Sequence, residues 1–152
     1  MDKYIIVEII PTALDPKYGD IVQLSALKIE DLKLLDRFDY RLNEEKVPLK
    51  EMVEMISYDK KAFTYMDTTK EIIDEFKKWS ENYKLLILNN SYTLNYLSDL
   101  INIKEDISSY LNIPYTDDII DKIIEKYQLQ PSDYIVDLLY EALIYESNNQ
   151  NS

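Results

Sequence analysis

The sequence predicts an α/β domain: a mixed sheet, three antiparallel strands first and parallel additions after, flanked by helices. Two observations carry that expectation. Three β-prone runs open the chain, the last two joined by a short polar link that suits an antiparallel hairpin. A half rich in βα units follows, in which apolar residues recur at helical spacing.

The elements follow in order. Tyr4 to Ile10 is a nearly continuous β-prone run, as expected of a buried strand. On a strand Tyr4, Ile6, Glu8 and Ile10 share one face, and Glu8 is the exception among them. A loop over residues 11–20 holds Gly19, the one glycine of the chain. Ile21 to Ile29 and Leu34 to Leu42 read as the second and third strands, linked by Glu30-Asp31-Leu32-Lys33. Lys50 to Ile56 reads as a short helix. Thr68-x-x-Glu71 is a capping box, and Ile72, Ile73, Phe76 and Trp79 follow at helical spacing. Lys84 to Leu88 is a short apolar strand, and Asn89-Asn90-Ser91 signals a turn and a helix start. The next helix should turn Leu94, Leu97, Leu100 and Ile101 inward. Asp117 and Asp118 cap a helix with Ile119, Ile120, Ile123, Ile124 and Tyr127 inside. Pro131-Ser132 opens the last helix, which runs to about Tyr145 with Ile135, Leu138, Leu139, Ala142 and Leu143 on its apolar face. Residues 1–146 are expected to form one domain, and 147–152 a disordered polar tail.

Composition narrows the chemistry. A chain of 152 residues with 46% hydrophobic content can bury a proper core. Cysteine is absent, which removes thiol nucleophiles and fits a reducing cytosol. Histidine is absent too, so the commonest general base and zinc ligand are missing. Any chemistry must rest on carboxylates, hydroxyls, Lys or Tyr. With 17 basic and 29 acidic residues the net charge is −12. Such a chain repels a phosphate backbone unless a basic patch or bound Mg²⁺ offsets it. The charge therefore favours protein partners over nucleic acid. The apolar runs fall short of the roughly 20 residues that span a bilayer. The start, Met1-Asp2-Lys3-Tyr4, lacks a signal-type pattern. The expectation is a cytoplasmic protein without a membrane partner. The 14 tyrosines are read first as a coding bias, with an aromatic binding surface as the alternative.

Three local patterns add a resemblance. The first is Ile5-Ile6-Val7-Glu8-Ile9-Ile10-Pro11-Thr12-Ala13-Leu14-Asp15-Pro16, followed by Gly19-Asp20-Ile21-Val22-Gln23-Leu24-Ser25-Ala26. The second is Leu85-Leu86-Ile87-Leu88-Asn89-Asn90-Ser91-Tyr92-Thr93-Leu94-Asn95-Tyr96-Leu97. The third is Pro131-Ser132-Asp133-Tyr134-Ile135-Val136-Asp137-Leu138-Leu139-Tyr140-Glu141-Ala142. Together they resemble, from about Lys3 to Glu146, the DEDD-type 3′–5′ exonucleases, the family of polymerase proofreading domains, with a ribonuclease H-like fold. That family has a strand ending Asp-x-Glu-Thr-Thr-Gly, then Leu-Asp-Pro and Gly-Asp-x-Ile-x-x-Ile-x-Ala. It next has His-Asn-x-x-Phe-Asp after an apolar strand, and His-x-Ala-x-x-Asp-Ala on a late helix.

The resemblance implies two-metal phosphodiester hydrolysis, in which two Mg²⁺ ions about 4 Å apart stabilise the attacking water and the leaving oxygen. Ions that close need several carboxylates, and a His or Tyr to orient the water. Carried over position by position, the four carboxylate slots hold Glu8, Ile10, Thr93 and Asp137, and the base slot holds Ser132. Glu8 is one methylene longer than Asp, reaching roughly 1.5 Å further. Ile10 binds no metal, Thr93 is a weak neutral ligand, and Ser132 is no base near neutral pH without activation. In the family's tyrosine branch, the residue four before the last Asp would be Tyr; Asp133 stands there, with Tyr134 one residue off. A slot that helps hold the 3′ nucleotide falls on Glu54-Met55-Ile56, where Glu54 has the wrong charge.

The expectation is a catalytically degenerate exonuclease-like domain that works as a binding or regulatory module through protein partners. The alternative is a divergent metal-dependent 3′–5′ exonuclease acting on single-stranded nucleic acid with Glu8, Asp137 and Asp133. No cofactor is expected, with Mg²⁺ or Mn²⁺ only if the domain is active, held weakly by Glu8 and Asp137. Each survivor also has a plainer reading. Glu8 is a half-buried strand residue, Asp137 a solvated helix residue, and Asn89 a turn former. Asp15 and Asp20 are loop polar groups, and Asp117, Asp118 and Asp121 are helix-start electrostatics.

Overall fold

The computed structural model describes residues 3–46, 63–88, 91–132 and 134–150. The helix expected over 50–56, the Glu54-Met55-Ile56 slot, Asn89 and Asp133 lie outside them. Strands β1 (Lys3–Pro11), β2 (Ile21–Glu30) and β3 (Lys33–Leu42) form the expected antiparallel meander. After β3 come β4 (Thr64–Met66), helix α1 (Thr69–Trp79), β5 (Lys84–Ile87), α2 (Ser91–Tyr96) and β6 (Lys104–Asp106). Helices α3 (Ile107–Leu111), α4 (Ile119–Tyr127) and α5 (Ile135–Gln150) complete the order. The six-stranded sheet runs β4-β3-β2-β1-β5-β6, with β4, β5 and β6 paired parallel to their neighbours. This is the mixed sheet the sequence predicts, extended by two three-residue strands that sequence periodicity did not reveal.

The β2–β3 hairpin closes on Asp31 and Leu32, both at positive φ (53° and 67°). That is the backbone of a two-residue turn that matches strand twist, built here without glycine. Tyr140 of α5 donates its hydroxyl to the Leu32 carbonyl at 2.8 Å and pins the turn.

Alternation along β1 divides the core. Ile5, Val7 and Ile9 face α1 and α2, where Ile72, Phe76, Tyr96 and Leu97 meet Phe38 of β3. Ile6, with Leu27, Ile29 and Leu86, faces α3, α4 and α5. The capping box forms as the sequence predicts: Thr68 is the N-cap of α1, and its hydroxyl accepts from the Glu71 amide at 3.1 Å.

Three expectations need correction. Helix α2 ends at Tyr96, so helical phase does not continue to Ile101. Leu97 and Leu100 are buried, but Leu94 is partly exposed and Ile101 fully so. Helix α5 begins at Ile135, leaving Pro131 and Ser132 in the segment before it. Its other end runs to Gln150, five residues past Tyr145, so the polar residues from Ser147 continue the helix.

Candidate functional site

Cross-strand register places polar side chains in rows on the sheet face that α5 covers. Glu8 pairs with Ser25, and Ser25 with Asp39. The next row is Ile10, Gln23 and Arg41, and the preceding one is Ile6, Leu27 and Arg37. Residues 37, 39 and 41 alternate onto this face because a strand repeats every two residues. Gln23, Ser25, Asp39 and Arg41 are all buried.

Each charge on this face has a specific environment. Arg37 donates from Nε to Asp39 Oδ2 at 3.0 Å, and from its two terminal nitrogens to the Asp137 carboxylate at 2.7 and 3.3 Å. Burial would lower the Arg37 pKa, but the hydrogen bonds with Asp137 and Asp39 outweigh it and hold the guanidinium charged. Arg41 donates from Nε to Gln23 Oε1 at 2.9 Å. Its guanidinium lies 3.9 Å from the ring centre of Phe63. Phe63 stacks on Tyr134 at 5.9 Å, and the Arg37 guanidinium lies 5.3 Å from the Tyr134 ring. The result is a continuous stack of Arg41, Phe63, Tyr134 and Arg37, each contact an aromatic or cation–π one.

Glu8 is half-buried, and burial pushes its carboxyl up to about 7. Burial raises the nearby Tyr92 hydroxyl first, and the charges of Glu8 and Tyr115 raise it further. Thr93 is fully buried in α2. Ile10 supplies no donor. Ser132 is exposed, and its hydroxyl accepts from the Tyr134 amide at 3.1 Å, a turn contact ahead of α5.

The structure therefore ties Asp137 to an arginine of β3, two strands from the β1 strand that carries Glu8. Sheet spacing puts those two strands roughly 10 Å apart. Among the described residues, no three Asp or Glu side chains gather as a metal-binding group. Two close divalent ions need more anionic oxygen than this donor set offers. Ile10 and Thr93 bring no charge, burial disfavours the charged form of Glu8, and Asp137 is paired with Arg37.

The loop of residues 12–20 has a structural explanation. Thr12 and Asp20 exchange two hydrogen bonds, Thr12 N to Asp20 O at 2.9 Å and Asp20 N to Thr12 Oγ1 at 2.8 Å. Asp15 caps the Lys17 amide at 2.9 Å, and Asp20 accepts from the Thr69 hydroxyl at 2.9 Å. Tyr96 donates to the Ala13 carbonyl at 2.8 Å. A Cβ on Gly19 would collide with the Tyr96 hydroxyl and with Ala13, so glycine is required there for close approach. Asp118 starts α4 and accepts from the Thr116 hydroxyl at 2.6 Å. Sequence reasoning missed Arg37, Asp39 and Arg41; their alternation in β3 was the available signal.

No family model matches the chain. Over 94 residues it is 21% identical to a PolC-type DNA polymerase III of Staphylococcus haemolyticus, covering 62% of this chain and 6% of the polymerase. Over 97 residues it is 20% identical to the Bacillus cereus polymerase of the same type, covering 64% of this chain and 7% of that one. The chain thus spans a small fraction of these relatives' length. Among solved structures, exonuclease X in complex with 5′ overhanging duplex DNA superposes with a TM-score of 0.64 at 11% identity, over 98% of this chain and 93% of the other. A product-bound exonuclease I superposes with a TM-score of 0.61 at 11% identity, over 98% of this chain and 44% of the other. Sheet order and these superpositions agree with the resemblance in the sequence: the chain has the ribonuclease H-like fold of the DEDD-type 3′–5′ exonucleases.

Proposed function

We propose that this domain is a catalytically degenerate exonuclease fold that acts as a binding or regulatory module through protein partners in the cytoplasm. The observation that carries the reading is the fate of the four carboxylate positions. Ile10 and Thr93 carry no charge, Glu8 is half-buried with a raised pKa, and Asp137 is held by Arg37 at 2.7 Å. Ser132 in the base slot is a turn residue rather than a water-orienting group. Among the described residues, hydrolysis by two ions lacks a sufficient ligand set and a base, and the reading calls for no cofactor.

Charge and exposure support a protein partner. At −12 the chain repels a phosphate backbone over most of its surface. Ile101 and Ile103 are exposed in the turn before β6 and line, with Tyr83, Tyr110 and the lysines Lys3, Lys77 and Lys84, a groove of about 990 Å³. Exposed isoleucines of this size suit contact with a protein surface. Among the described residues, no helix is long and apolar enough to cross a membrane.

The test is an assay of end-labelled single-stranded DNA and RNA with Mg²⁺ or Mn²⁺. The expected result is no 3′–5′ digestion above a no-enzyme control. Robust digestion that disappears in Asp137→Ala would overturn the proposal and establish a divergent metal-dependent exonuclease in its place.

A further inference from the structure

We infer that Arg37 stands in for a divalent cation on this face: Asp39 and Asp137 are committed to its guanidinium, and no metal ion enters between them while it is there. The inference rests on the proposed loss of the two-ion centre and concerns one of its four positions, Asp137, which Arg37 ties to Asp39 of β3. One side chain bridges a carboxylate of the sheet and a carboxylate of a helix 98 positions later in the chain (137 − 39), through contacts of 3.0, 2.7 and 3.3 Å. A guanidinium does this well, because its planar fork meets a carboxylate edge-on and it is weakly hydrated. A hard divalent ion would need the same carboxylate oxygens. Two cations on one pair of carboxylates would also repel each other at this short range.

Two further observations fit that replacement. Asp39 Oδ2 takes Arg37, while Asp39 Oδ1 is buried and has no hydrogen-bond partner among the described residues. The Asp39 side chain is only 4% exposed, so an oxygen able to ligate a cation is held away from water beside the guanidinium. On its other side Arg37 lies over Tyr134, which Phe63 backs, so the guanidinium is packed in place rather than loosely held at the surface.

The wild-type protein can be read directly. It has two arginines, Arg37 and Arg41, so its Nε–H region in a ¹⁵N-resolved NMR spectrum holds two signals, assigned with Arg37→Lys. With substoichiometric Mn²⁺, the Arg37 signal is expected to keep its intensity; broadening well beyond that of Arg41, and lost in Asp137→Asn, would mean that the ion enters between the carboxylates and would overturn the inference. In a companion thermal-unfolding series, Arg37→Met should gain several degrees of Tm on adding Mn²⁺. Wild type and Arg37→Met/Asp137→Asn should not. A folded Arg37→Met protein indifferent to Mn²⁺ would also overturn it, and if that variant does not fold, the wild-type spectrum decides. Digestion of substrate with an unbroadened Arg37 signal would defeat the functional proposal and spare this one. Broadening without digestion would do the reverse.

Discussion

The two faces of the sheet are built from the same strands to different ends. Toward α1 and α2 every inward residue of β1 is apolar, and Phe38, Phe76 and Trp79 pack ring against ring at 5.2 to 6.0 Å. Toward α5, apolar packing holds only at one end, around Ile6, Leu27 and Ile29. At the other end Glu8, Ser25, Asp39, Gln23 and Arg41 come inward together. Buried polar groups are costly unless paired, so a domain that needed only stability would carry an apolar row there. The difference separates a face that serves the core from one that gathers polar and charged groups, some paired, as Arg37 with Asp39 and Asp137, and some not, as Asp39 Oδ1 among the described residues.

The comparison can be broken first on the apolar face. Phe76 is fully buried and meets Phe38 edge-on at 5.4 Å. Phe76→Ala should cost about 3–5 kcal/mol, measured by urea unfolding. A cost below about 1 kcal/mol would show that this face is not the stabilising one.

On the polar face the sign reverses. Burial raises the Glu8 pKa from 4.5 to about 7, so the native state holds a proton that the unfolded chain has lost between those values. The penalty for ionising Glu8 is absent below pH 4.5, grows through that window and is complete above pH 7. Glu8→Gln should therefore stabilise the protein by up to about 3 kcal/mol at pH 8 and leave it unchanged at pH 4. Equal effects at both pH values would contradict the burial of the Glu8 carboxyl.

The smallest effect belongs to Asp137. Its side chain and that of Arg37 are about a third exposed, so solvent screens the pair. Asp137→Ala should cost about 1 kcal/mol, and less at high salt. A loss of several kcal/mol, insensitive to salt, would make the pair a buried structural bridge instead.

Much of this was legible in the sequence because it is local. Strand alternation in Tyr4 to Ile10, the polar link at Asp31 and Leu32, and the Thr68–Glu71 box each sit within one element, and each formed. Strands β4 and β6 have three residues each, too few to show a period. Ile101 was misplaced because α2 stops one residue before Leu97, and the turn that follows sets its direction. At the candidate site, sequence position proposes Glu8, Ile10, Thr93, Ser132 and Asp137 but says nothing of what they touch. Arg37 and Asp137 are 100 residues apart, and no spacing rule links them. Asp39 and Arg41 look like ordinary strand charges until register turns them inward beside Ser25 and Gln23.

The central claim is that the chain's own cation, Arg37, occupies the carboxylates on this face that a metal ion would need. Anomalous diffraction from crystals soaked in Mn²⁺ tests it most directly. The account predicts no manganese peak among Glu8, Asp39 and Asp137, with the Arg37 guanidinium lying between the two aspartates. A peak coordinated by Asp137, with Arg37 swung away, would contradict it.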